Sequence, residues 1–69
     1  MVEVFKTSVQ DQDVATKLID LIHKTFIGYK ANFDLQDCDR ILRVEGADFC
    51  TDTVIRLVTK SGFQCSPLE

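Results

Sequence analysis

The chain has 69 residues, 45% hydrophobic and 28% charged, with a formal net charge of −3. Domains typically run to about 100–150 residues, so this length holds a single core with too little interior for a deep enclosed pocket. The apolar content excludes intrinsic disorder, and a pI of ≈ 4.9 excludes a nucleic-acid binder that draws its affinity from clustered Lys and Arg.

Residues Val2 to Val9 alternate, with Phe5, Thr7 and Val9 on one face and Val2, Val4 and Lys6 on the other, up to the polar run Gln10-Asp11-Gln12-Asp13. This period of two predicts a strand. From Val14 the spacing lengthens, and Val14, Leu18, Leu21, Ile22 and Phe26 recur at three- and four-residue steps while Lys17, Asp20, His23 and Lys24 take the other side. An amphipathic helix follows, capped by an aspartate at 11 or 13 and closed near Gly28.

Ala31, Phe33 and Leu35 alternate again, Gln36-Asp37-Cys38-Asp39 makes a turn, and Arg40 to Glu45 returns with Leu42 and Val44 inward. That pattern is a hairpin. Gly46 breaks it, Val54, Leu57 and Val58 mark a second helix ended by Ser61-Gly62, and Phe63 to Cys65 opens a short edge strand closed by Pro67. Residues 1–67 thus form one domain, and Leu68-Glu69 matches the scar that an expression tag leaves.

The order strand, helix, strand, strand, helix, strand predicts an α+β fold. Its simplest arrangement is the ferredoxin-like βαββαβ sandwich, a four-stranded antiparallel sheet of order 4-1-3-2 with both helices on one face.

The second half, Phe33-Asp34-Leu35, then Asp39-Arg40-Ile41-Leu42-Arg43-Val44-Glu45-Gly46, Val54-Ile55 and Ser61-Gly62-Phe63, resembles the heavy-metal-associated domain of copper chaperones and metal-transporting ATPases. Phe5-Lys6-Thr7-Ser8-Val9 and the helix from Val14 extend the resemblance over nearly the whole chain. It implies the fold and a docking surface. The family holds its metal with a CxxC pair between the first strand and first helix, and here that loop reads Gln10-Asp11-Gln12-Asp13. Cu(I) selects thiolate sulfur and aspartate offers hard oxygen, so the family's copper site cannot form in this loop.

Other metal-ligating residues remain. In this topology Cys38 and Cys65 lie at the end of the sheet that carries Asp11 and Asp13, so these four are the metal candidates, while Cys50 falls at the opposite end. Against them stands the structural use of the same residue types: aspartates cap helices and close turns, and free cysteines pack as small side chains. Asp37 and Asp39 join the same acidic end, without the regular spacing of a calcium loop. Cys50, just before the second helix, has the placement of a reactive thiol, opposed by Asp48 and Asp52.

His23 has no cysteine nearby in sequence, so no Cys-His pair is visible. The acidic first loop has no glycine, which does not fit the anion-binding loop of small enzymes such as acylphosphatases. On the sheet's open face Val2, Val4 and Ile41 are candidates for a partner surface beside Lys6, Arg43 and Glu45.

These readings predict a non-catalytic binding module with no cofactor, acting through contacts with an unidentified protein partner as a monomer or weak dimer. The alternative is a metal-ion binding or trafficking protein with a non-standard site. The start Met1-Val2-Glu3-Val4 carries no signal-peptide pattern and no apolar run reaches about 18–20 residues, so a cytoplasmic location without membrane insertion is expected.

Overall fold

The computed structural model describes residues 1–47 and 50–68. Its elements are β1 (Val2–Thr7), α1 (Gln12–Thr25), β2 (Lys30–Asp34), β3 (Ile41–Glu45), α2 (Thr51–Lys60) and β4 (Cys65–Pro67). The four strands form one antiparallel sheet in the order β2-β3-β1-β4, which counted from the β4 edge is the expected 4-1-3-2.

Alternation sets which face of each strand is buried. Phe5 and Thr7 of β1 and Leu42 and Val44 of β3 turn to the inside. Phe5 and Leu42 are direct neighbours across the β1–β3 pair, and Phe33 extends the row into β2. Ile22 of α1 and Val54 and Val58 of α2 join Phe5, Leu42 and Val44 in one buried cluster, so both helices cover the same face of the sheet. Val9, Ala15 and Leu18 form a second cluster at the start of α1, with Phe33, Leu35, Leu57 and Phe63 packed against it. Removing these side chains from water supplies the main stabilisation, at about 25 cal/mol per Å² of apolar area.

The start of α1 follows the predicted capping, while its far end closes at Phe26, ahead of the expected Gly28. Asp11 is the N-cap of α1, its Oδ1 accepting from the Asp13 amide at 2.8 Å, and His23 and Lys24 lie in the last turn, where a cation suits the helix dipole. Phe26 stacks on Tyr29 with ring centroids 5.0 Å apart. The Tyr29 ring also lies over Gly46, where a Cβ would come within 2.8 Å of it. This glycine therefore does more than interrupt the return strand: it makes room for the aromatic pair.

Several boundaries differ from the sequence reading: β1 ends at Thr7 rather than Val9, α1 starts at Gln12 rather than Val14, and β2 is Lys30–Asp34. Arg40 was expected to begin the return strand but lies outside it, in the left-handed region at φ 48°, so that β3 starts at Ile41. Its guanidinium compensates by donating to the carbonyls of Leu35 and Asp37, both at 3.0 Å, which closes the turn from within. The last strand begins at Cys65 rather than Phe63, because Phe63 packs into the core after α2 and the chain meets β1 only at the Cys65–Thr7 pair. Leu68, read as part of a tag scar, donates its amide to the Val4 carbonyl at 2.9 Å and continues the ladder past Pro67. Glu69 lies outside the described residues, as does Asp48. No helix among the described residues is long and apolar enough to cross a membrane.

Candidate functional site

The end of the sheet that carries the first loop is acidic, and Asp11, Asp34 and Asp37 there accept from backbone amides. Asp11 caps α1. In the hairpin turn Asp34 accepts from the Gln36 amide at 3.3 Å and Asp37 from the Asp39 amide at 2.9 Å. Asp39 also sits 3.7 Å from the Lys6 ammonium. Both partners are substantially exposed, so this ion pair contributes little to stability. Beneath the turn the Thr7 hydroxyl donates to the Arg40 carbonyl at 2.6 Å and accepts from the Val9 amide at 3.3 Å, joining the hairpin to the end of β1.

The four metal candidates do not form one set. Among the described residues the converging group is Asp37, Cys38 and Asp39, with one ligand atom of each within 4.8 Å of the others. Cys38 is exposed there, whereas Cys65 is buried beneath the sheet opposite Thr7. Burial pushes the Cys65 thiol up to about 11, so it stays protonated near neutrality and is a poor donor to a soft metal. Asp11 and Asp13 belong to the start of α1 and are both exposed. Cys38 and Cys65 thus share one end of the sheet, one in the exposed hairpin turn and the other buried on β4.

Cys50 is the N-cap residue of α2, with no side-chain hydrogen bond closing that cap. The first-turn amides of Thr53 and then Asp52, with the Thr53 hydroxyl, nevertheless lower its thiol pKa, outweighing burial and the Asp52 carboxylate. The expectation that neighbouring carboxylates would prevail is corrected here for Asp52: backbone donors at the helix start act at shorter range than an exposed charge.

The open face of the sheet bears the residues expected there. Val2 faces Glu45, Val4 faces Arg43 and Ile41 faces Lys6. Each apolar side chain therefore has a charged neighbour directly across the ladder. Val4 lies between Val2 and Ile41 along this face, and Leu68 donates its amide to the Val4 carbonyl from the β4 side. A shallow depression of ≈ 220 Å³ on this face is bordered by Asn32, Asp34, Ile41 and Arg43.

The larger concavity is on the opposite side, between the two helices. A groove of ≈ 370 Å³ is lined by Leu21 and Thr25 of α1 and by Thr53, Arg56, Leu57, Lys60 and Ser61 at α2. Leu21 is 42% exposed in it. Leu57, which shares the helical spacing of Val54 and Val58, borders this groove. The groove's signal was present in the sequence: Thr53, Arg56, Leu57 and Lys60 follow the i, i+3, i+4, i+7 spacing of one helical face, adjacent to the buried stripe of Val54 and Val58. Both charged residues in the groove are cations, in a chain whose net charge is −3.

Comparison with protein-family models, with curated proteins and with solved structures finds no match to this chain.

Proposed function

We propose that this chain is a ferredoxin-like binding module, similar to the heavy-metal-associated domain but lacking its thiolate pair, which acts through protein contacts and catalyses no reaction. The βαββαβ element order and the β2-β3-β1-β4 sheet support the fold reading. The resemblance in the quoted motifs supports the family reading.

The observation that carries the function is the inter-helix groove, with Leu21 and Leu57 beside Arg56 and Lys60. Partly exposed leucines offer apolar area to bury, and two cations favour carboxylates on whatever covers them. The partner segment is therefore one that presents an apolar anchor flanked by acidic residues. On the sheet's open face Val2, Val4 and Ile41 each lie opposite a charge across the β1–β3 pair.

The test is affinity capture with the wild-type chain beside a Leu21→Gln/Arg56→Glu variant whose melting is checked first. A partner retained by the wild type and lost by the variant supports the reading, and equal capture by both removes the groove from it.

A second reading, a metal-ion site of non-standard type, is favoured by the convergence of Asp37, Cys38 and Asp39. Titrating the reduced protein with Cu(I), Zn(II) and Ca(II) while recording amide NMR shifts separates the two. Saturable movement confined to residues 37–39 would put the metal reading first, since a ligand that binds only the folded state must also raise its melting temperature.

A further inference from the structure

β2 forms one border of the sheet, with β3 on its other side. Which of its backbone groups face outward follows from the phase of the ladder. Met1 and Gly46 exchange both bonds, the Met1 ammonium donating to the Gly46 carbonyl at 2.7 Å and the Gly46 amide donating to the Met1 carbonyl at 2.9 Å. Antiparallel strands alternate exchanging and non-exchanging pairs. Two and four residues further on, Glu3–Val44 and Phe5–Leu42 are then exchanging pairs, and the backbone groups of Ile41, Arg43 and Glu45 turn towards β2. Their partners Asp34, Asn32 and Lys30 bond inward. The amides and carbonyls of Ala31 and Phe33 are left on the outer border.

A strand that pairs with this border must meet Ala31 and Phe33 in phase. The sequence of β2, Lys30-Ala31-Asn32-Phe33-Asp34, is itself complementary to a reversed copy. Placing a two-fold axis at Asn32 sets Ala31 against Phe33 of the second copy and creates four backbone hydrogen bonds. The same axis sets Lys30 against Asp34 of the second copy and Asp34 against its Lys30. Axes at Ala31 or at Phe33 keep the phase but set Lys30 or Asp34 against Asn32 and lose both charge pairs.

We infer that β2 is a homodimerisation edge, which joins two copies antiparallel about Asn32 into one eight-stranded sheet. Opposite charges directly across a ladder stabilise a pairing and like charges oppose it, so Lys30 and Asp34 select this register over its neighbours. Ala31 and Phe33, half-buried on the helix side, gain cover from their counterparts in the second copy. The proposal is independent of the groove reading, since it uses the opposite flank of α1's layer and a different occupant.

The experiment is sedimentation velocity over a concentration series, combined with amide hydrogen exchange. The expected result is a monomer–dimer equilibrium in which the Ala31 and Phe33 amides gain protection as concentration rises. Lys30→Glu and Asp34→Lys should each weaken the dimer by about tenfold, since each creates two like-charge pairs by symmetry. An equimolar mixture of the two variants should restore it, because the mixed pair again matches opposite charges at both positions. Ala31→Pro removes an outward amide without removing a bond to β3 and should leave a folded monomer. A chain that stays monomeric up to about 1 mM, which corresponds to no more than about −4 kcal/mol of association, overturns the proposal. So does a mixture that fails to restore the dimer, a test that uses only exposed side chains and does not depend on the proline variant folding.

Discussion

The two borders of the sheet are built differently. β4 has three residues, ends in Pro67 and is fastened by side chains: the Ser8 hydroxyl accepts from the Gln64 amide at 2.8 Å, and Cys65 is buried opposite Thr7. A short strand closed by proline offers little template for another chain. β2 has five residues with no proline, pairs with β3 along its inner side and packs the half-buried Ala31 and Phe33 against the core. One border is blunted and pinned by polar contacts, while the other is open and held by apolar packing and by its ladder with β3. Where the fold leaves an edge unprotected, the charges along it decide what can pair there.

The largest expected effect is at the open border. Phe33→Ala removes an aromatic side chain that packs against both core clusters, and for a half-buried site the cost should be about 2 kcal/mol, measured by urea unfolding of the monomer. A cost below about 0.5 kcal/mol would mean that packing does not hold this edge. At the pinned border Ser8→Ala should cost about 1 kcal/mol, because the Gln64 amide loses its acceptor. If Ser8→Ala proved more damaging than Phe33→Ala, the contrast would be reversed.

Cys65 sharpens the comparison through pH. Its thiol is pushed from 9.0 to about 11 by burial, so the folded state holds the proton more tightly than the unfolded state. The stability from this difference is fully present below about pH 9 and is lost as pH rises towards 11. Relative to Cys65→Ala, the wild type should therefore lose on the order of 1 kcal/mol over that window, and parallel profiles would show that the thiol is not sequestered. Alkylation near neutral pH should follow the same logic, with Cys50 modified well before Cys65. The smallest effect is expected for Pro67→Ala, within about 0.5 kcal/mol, since the residue is exposed at the end of its strand.

Hydrophobic periodicity alone determined the six elements, the inward residues Phe5, Leu42, Val44, Val54 and Val58, and the capping role of an aspartate before α1. These depend on neighbours a few residues apart, which the chain order displays directly. Only the tertiary structure decided what depends on distant segments meeting. Arg40 lies outside the strand at a positive φ, and its guanidinium reaches back to the Leu35 and Asp37 carbonyls. Val2, Val4 and Ile41 each meet a charge across the β1–β3 pair because strand register sets it there. Cys38 and Cys65 share an end but not an environment, since one lies on an exposed turn and the other under the helices. The groove exists because α1 and α2 approach over one sheet face without closing the space between Leu21 and Leu57. Local spacing can say which face of a helix is apolar, but the width left between two helices is set by the residues beneath both of them.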